Sequence, residues 1–271
     1  MDNTVIISIH NYKTAGVTFH SVIDRQFRSD QILNANLIGI DAARNLIIES
    51  SNEFKRNIKI IHGHFPFGWG TFFPQKSTYI TFVRNPIERV ISDYYYCRKF
   101  HLAHNYQYAS RMSFKEYLTC GEILNIDNGQ TRFISGDLST PYGMNNQEML
   151  DKAIHNIDTH FSLVGITEKF DESLILANYI FSWNKFYYAS KNVTSEKGEV
   201  IDEDILELIR SRNQLDIKLY EHALAKHNAA IQQIPFMFAR TAFLESSKML
   251  YNTLHPVFKM LKNIMSSSKS E

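Results

Sequence analysis

A short β-branched run, "TVIIS" at residues 4–8, gives way to "HNYKTAGVTF", and from Thr14 onward Phe19, Val22, Ile23 and Phe27 recur at helical spacing. This strand–loop–helix step constrains the fold most, because the chain repeats it. "IKIIHGH" (Ile58 to His64) and "TYITFV" (Thr78 to Val83) predict two more strands. The second leads through Asn85-Pro86 into a helix reaching Phe100, with proline in its first turn. "NNQEMLDKAIHNI" places Met149, Leu150, Ala153, Ile154 and Ile157 on one helical face, and "HFSLVGI" (His160 to Ile166) predicts a fourth strand. Asp171 is expected to cap the helix that follows, "ESLILANYIFSW". Strands alternating with helices imply an α/β fold with a mostly parallel sheet covered on both faces.

The second half changes character. Asp202 to Ile231 predicts one long amphipathic helix through Ile205, Leu208, Ile209, Leu215 and Leu219, and Pro235 ends it. This divides the chain into a main domain, residues 1–234, and a basic amphipathic C-terminal extension, residues 235–271, whose polar end "SSSKSE" is expected to be disordered. The extension carries Arg240, Lys248, Lys259, Lys262 and Lys269 against Glu245 and Glu271. Such a segment can lie on an anionic membrane surface, dock a partner, or fold back on its own domain.

Composition excludes some functions. The 271 residues carry a formal net charge of only +1, which argues against non-specific nucleic-acid binding. Cys97 and Cys120 stand outside any CxxC pair, which argues against a zinc or redox motif and suits a reducing compartment, with one disulfide as the alternative. A sequon at Asn192 matters only in a secreted chain. With no leader-like N-terminus and no run of ~20 apolar residues, the expectation is a cytoplasmic protein.

The first loop carries the chemistry. A strand-to-helix turn aims backbone N–H groups and the positive end of a helix dipole at one spot, which suits an anion. Gly16 permits close backbone approach, Lys13 adds a mobile charge, and the hydroxyls of Thr14 and Thr18 can donate. A nucleotide-triphosphate loop needs GxxxxGK[ST], and here the lysine precedes a single glycine. Alone, the loop is equally an ordinary turn with an exposed lysine. In "FVRNPIERVISDYYY", Arg84 at a strand end can fork onto phosphate oxygens and Ser92 can donate a further hydrogen bond, with Arg89 on the same helix face as Ser92. "HGH" at the strand end puts His62 and His64 on one face, two residues apart; they can be a metal pair or core residues, but no cysteine or carboxylate stands at ligand spacing.

Together, "KTAGVTF" and "RNPIERVISDYYY" resemble the two donor-binding segments of sulfotransferases that use 3′-phosphoadenosine 5′-phosphosulfate (PAPS), in particular the carbohydrate branch that includes heparan sulfate 2-O-sulfotransferase. "HGHFPFG", "DNGQTRFISG", "LVGITEKFDESL" and "IRSRNQLDIKLYEHAL" extend the likeness over roughly residues 4 to 230. The resemblance implies a P-loop-like three-layer fold with the C-terminal helical extension outside it. It implies that Lys13, Thr14, Ala15, Gly16 and Thr18 cradle the 5′-phosphosulfate, that Lys13 also stabilises the bridging oxygen as the S–O bond breaks, and that Arg84 and Ser92 bind the 3′-phosphate. It implies His64 as general base, with His62 orienting the acceptor or His64, a carbohydrate hydroxyl as acceptor, and no required metal. Two positions depart from the family pattern: Tyr12 stands where proline is frequent, and Val17-Thr18 replaces a pair of hydroxyl residues.

Other assignments stay open on the residues alone. Glu88 and Glu168 are alternative bases, though a salt bridge between Glu88 and Arg89 is the simpler role. Phe65, Phe67, Trp69, Phe72 and Phe73 can stack on sugar rings or pack in the core. The basic, tyrosine-rich stretch 99–111 can face an anionic glycan or simply solvent. A nucleotide kinase and a non-catalytic glycan- or nucleotide-binding module are the rival functions.

Overall fold

The computed structural model describes residues 4–189 and 201–267, with side chains through residue 254; the sequon at Asn192 and residues 268–271 lie outside it. In chain order the elements are β1 (Thr4–Ile9), α1 (Gly16–Ile23), β2 (Ile32–Asn34), α2 (Ala35–Ile38), α3 (Ile40–Glu49), α4 (Asn52–Asn57), β3 (Ile60–Gly63), β4 (Lys76–Val83), α5 (Pro86–Lys99), α6 (Tyr106–Ala109), α7 (Phe114–Thr119), α8 (Gly129–Ser135), α9 (Gln147–His160), β5 (Phe161–Ile166), α10 (Phe170–Phe181), α11 (Glu203–Arg212), α12 (Gln214–Gln232) and α13 (Met237–Ser267).

The five strands form one parallel sheet in the order β2-β3-β1-β4-β5. The alternation along β1 builds the three layers. Val5, Ile7 and Ile9 join one core with Ala43 and Ile47 of α3, Leu150 and Ile157 of α9, and Leu219 of α12. Ile6 points the other way, into a second core with Phe19, Val22 and Ile23 of α1 and Leu174 and Ala177 of α10. Both faces are therefore dry, which is why the strands read as continuous apolar runs. A third apolar cluster joins α5, α6, α7 and α11 beside the sheet, through Val90, Tyr94, Ala109, Tyr117 and Ile209.

Four expected strands are present, with β3 confined to Ile60–Gly63. The fifth, β2, is a three-residue edge strand, too short to produce an alternation. Asp171 is not a cap: α10 begins one residue earlier, and the carboxylate accepts from the Tyr188 hydroxyl (2.9 Å) and the Lys248 ammonium (2.9 Å). The long helix expected over Asp202–Ile231 is two helices. Asn213 breaks it, because its buried side-chain amide donates to the carbonyls of Ile126 and Ile209 and its Oδ1 accepts from Asn128 N–H. The first part of α13 packs on the main body: Leu244 is fully buried in the second core, and Lys248 bridges Asp171 and Glu245. Phe236, Phe238, Met249 and Leu250 remain exposed. Among the described residues no helix is long and apolar enough to cross a membrane. Both cysteines are free.

Candidate active site

Three neighbouring strands, β3, β1 and β4, end at one edge of the sheet, and each is followed by one part of the predicted site. After β1 comes the Lys13 loop, after β3 comes His64, and after β4 comes Arg84. The carboxyl edge of a parallel sheet, where neighbouring strands send their chains to opposite sides, is where α/β folds bind ligands.

The loop is pinned before it is opened. Asn11 is buried, and its amide donates to Thr81 Oγ1 (3.1 Å) and to the Phe82 carbonyl (3.0 Å), tying the loop to β4. Thr14 is buried too, and its hydroxyl donates to the Asn11 carbonyl (2.8 Å). That proton is committed to the loop, so Thr14 offers an incoming anion its backbone N–H rather than its hydroxyl. Lys13 (φ 63°) and Ala15 (φ 61°) both adopt the left-handed conformation, which costs non-glycine residues of order 1–3 kcal/mol each. Gly16 is required by contact: an added Cβ would lie 1.8 Å from His10 Nε2.

The strained turn leaves a consistent result. Among the described residues, no acceptor meets the backbone N–H groups of Lys13, Thr14, Ala15, Gly16 and Val17; the first N–H groups of α1 to find one are those of Thr18 and Phe19, both on the Ala15 carbonyl at 3.1 Å. Ala15 provides no side-chain cap for α1. Consecutive unpartnered N–H groups in a turn of alternating hand, at a helix N-terminus, form a concave anion site. The Thr18 hydroxyl, one turn in, makes no hydrogen bond among the described residues and can donate there.

Two cations frame this concavity. Lys13 Nζ sits 3.8 Å from the centroid of the Tyr96 ring on α5. Ser92 precedes Tyr96 by one helical turn, so Lys13 lies along the same stripe of α5 as Ser92, whose half-buried hydroxyl is also unpartnered among the described residues. Burial lowers the Lys13 pKa, and Asp93 pulls it back up. Arg84 donates through Nη1 to the Lys13 carbonyl (3.3 Å), which joins the two predicted donor segments directly. The backbone of Arg84 is clamped at both ends by Gln130, whose Oε1 accepts from Arg84 N–H (2.9 Å) and whose Nε2 donates to the Arg84 carbonyl (3.0 Å). The sequence presented Gln130 only as part of "DNGQTRFISG", with no role attached.

His64 has the ring geometry that a base would need. Its Nδ1 lies 2.7 Å from the His10 carbonyl. A carbonyl only accepts, so Nδ1 holds the proton, and in the neutral ring Nε2 keeps a free lone pair. Burial is the main cause that pushes the pKa down to about 4, with His104 adding to it and the His10 carbonyl and Asp93 opposing it. The ring is therefore neutral across the physiological range. It is stacked between His10 (centroids 4.0 Å apart) and Tyr12 (4.1 Å), and Tyr12 in turn stacks on His104 (4.0 Å). Tyr12, the departure from the proline pattern, thus becomes one wall of the His64 site.

His62 does not join His64. β3 ends at Gly63, so the two rings do not continue one strand face. His62 is buried with its ring against His20 (4.2 Å), and His20 and His10 stand between it and His64. His62 is buried and separated from His64 by those two rings, so it does not lie where an acceptor would meet His64. The fold also brings a carboxylate that spacing did not reveal, since Asp24 Oδ1 lies 3.2 Å from His62 Nε2. The proposed salt bridge between Glu88 and Arg89 is not formed. Glu88 is exposed and approaches Arg84 (3.9 Å), whereas Arg89 turns inward to Asn125 and Asp216. Glu168 is occupied as an acceptor for Asn85 N–H (2.9 Å) and the Tyr220 hydroxyl (3.2 Å). Phe65, Trp69 and Phe73 are core, with Phe67 and Phe72 packed against them.

A parallel α/β sheet whose carboxyl edge holds an anion cradle, a lysine, an arginine and a neutral imidazole is the frame of a group-transfer protein acting on an anionic donor. The comparison with protein families agrees and is more specific. The chain belongs to the galactose-3-O-sulfotransferase family, whose model matches residues 4–235. Membership makes a carbohydrate sulfotransferase the supported class; it does not support the heparan sulfate 2-O branch in particular. No curated protein matches the sequence.

Proposed function

We propose that this chain transfers a sulfuryl group from PAPS to a hydroxyl of a carbohydrate, with galactose-bearing glycans the acceptors that the family description favours. The observation that carries the proposal is the run of five N–H groups, Lys13 to Val17, unpartnered among the described residues, beside the Lys13 ammonium and tied to Arg84. When bound, PAPS supplies the activated sulfuryl group and its phosphate leaving group. Lys13 and the cradle then neutralise charge on the 5′-phosphate, an electrostatic role most valuable in the transition state. Arg84 and Ser92 take the 3′-phosphate. His64 Nε2 accepts the acceptor's hydroxyl proton, with Nδ1 held on the His10 carbonyl so that the Nε2 lone pair stays free.

The test is a calorimetric comparison of 3′-phosphoadenosine 5′-phosphate with ADP, both without added metal. The proposal expects the 3′-phosphorylated nucleotide to bind far more tightly. Equal affinities would remove the PAPS assignment, and preference for ATP with Mg²⁺ would replace it with a kinase.

A further inference from the structure

Outside the donor cradle, three side chains of different chemistry meet behind Tyr12. Asp93 and Cys97 are one helical turn apart on α5, and His104 returns to them from the loop that follows. One ligand atom from each lies within 4.8 Å of the other two. His104 Nε2 is 3.3 Å from Asp93 Oδ1 and 3.8 Å from Cys97 Sγ. Ligands held about 2.0–2.3 Å from a tetrahedral Zn²⁺ stand roughly 3.3–3.6 Å from one another, so two of the three edges are already near that size.

The Asp93 carboxylate is arranged as a ligand is arranged. It is fully buried, and Oδ2 accepts from Tyr117 OH (3.2 Å) and Asn125 Nδ2 (3.0 Å). Oδ1 is buried with no aligned hydrogen-bond donor. His104 is near enough to pair with it, but its N–H does not point along that line. The outer contacts of Oδ2 are those that orient a metal-bound carboxylate. Cys97 is buried and free, with His104 Nε2 3.8 Å from its sulfur and Tyr117 also within reach of it.

We infer that Asp93, Cys97 and His104 form a binding site for a divalent transition metal ion, with Zn²⁺ the ion that a mixed O, S and N set at this spacing suits best. Coordination replaces the Cys97 thiol proton, which leaves to buffer, and three protein ligands leave one position for water. The cations that face Asp93 are Arg89 and Lys13, and both oppose the ion. The site therefore binds metal less tightly than a four-ligand structural site does. Spacing had argued against a zinc site because the cysteines form no CxxC pair; the ligands assemble only when the loop after α5 folds back.

The test uses the full chain, stripped of metal, with Co²⁺ alone as the probe. One equivalent should produce a thiolate-to-cobalt charge-transfer band with four-coordinate ligand-field bands, and Zn²⁺ should bleach both. Cys97→Ser should abolish the charge-transfer band and Cys120→Ser should leave it. His104→Gln, at a partly exposed position, should weaken Co²⁺ binding at least tenfold, and Tyr117→Phe about 10–100-fold as an outer-contact change. Absence of the band in the parent chain overturns the site. So does a band that survives either Cys97→Ser or His104→Gln, the latter deciding the matter if the cysteine variant does not fold.

Discussion

The Lys13 loop and the junction around Asp216 are opposites built from similar parts. Both involve a helix N-terminus and buried polar groups. At the junction the helix-start donors find acceptors: Asp216 accepts from Gln130 N–H (3.1 Å), Thr131 N–H (2.7 Å) and the Thr131 hydroxyl (2.7 Å) at the start of α8, while Asn128 Oδ1 accepts from Leu215 and Asp216 N–H at the start of α12. Each helix caps the other, and Arg89 approaches Asp216 at 3.7 Å with both side chains buried. At the loop, five N–H groups are left open and two residues hold a left-handed conformation. A satisfied junction stabilises the frame; an unsatisfied one keeps its donors for a ligand, at a cost the frame offsets. The two are linked, because Gln130 is held by Asp216 at its N–H and holds Arg84 with its side chain.

Substitutions separate the two roles. The largest effect is expected on turnover. His64→Ala should cut kcat by about 10²–10⁴-fold, the range for loss of a general base, while nucleotide binding stays close to the parent's. A variant with full activity would transfer the role to another group. In the parent, the acid limb of kcat/KM should fall near pH 4 rather than near the ~6.5 of a free imidazole, because the neutral ring is the active form and persists down to its lowered pKa. His10, His104 and Asp93 face this ring, so an acid limb near 6.5 would mean that His64 is more open to solvent than its contacts indicate.

Next in size is the junction. Asp216→Ala removes one of the two carboxylates that face the buried Arg89 and uncaps α8, and should cost about 3–5 kcal/mol in denaturant unfolding. A loss below 1 kcal/mol would mean that water reaches Arg89 and would erase the contrast drawn above. Arg84→Ala should fall between the two regions. It should weaken 3′-phosphoadenosine 5′-phosphate by about 1.5–3 kcal/mol for each charged hydrogen bond lost and leave ADP nearly unchanged, measured by calorimetry. Equal weakening of both nucleotides would assign Arg84 to the loop rather than to the 3′-phosphate. The smallest effect belongs to Tyr12→Leu. Loss of its stacking on His64 and His104, about 0.5–1.5 kcal/mol per pair, should lower kcat a few-fold with the donor KM unchanged. A parent-like kcat would show that the His10 contacts alone orient His64.

Local chemistry was legible in the sequence. Phe19, Val22 and Ile23 had to be one face of a helix, "TVIIS" and "TYITFV" had to be strands, and Asn85-Pro86 had to start a helix, because each follows from period or from one residue's geometry. The same holds for Lys13, Gly16, Arg84 and His64, which lie on short motifs at strand ends. What spacing could not show is how polar groups are shared across distance. Thr14 and Thr18 look alike in the sequence, yet the Thr14 proton is committed to Asn11 and the Thr18 proton is not. His62 and His64 stand two residues apart, but β3 stops between them and buries one. Asn213 splits an otherwise unbroken apolar period because its amide is needed at Ile126, 87 residues away.

By itself, the sequence determined the parallel α/β plan, since buried strands and amphipathic helices are set by the period of apolar residues along a few turns of chain. It also determined that a strand-to-helix loop with a lysine and a glycine follows the first strand, the local pattern of a candidate anion site. The tertiary structure alone decided which donors remain open, which imidazole is neutral with a free nitrogen, and that Gln130, Tyr12, Asp93, Cys97 and His104 gather around the site. The physical reason is that a hydrogen bond or a stacked ring is satisfied by whichever group arrives in space. Strand order, β2-β3-β1-β4-β5, brings those groups together from positions up to 118 residues apart, counting from Tyr12 to Gln130.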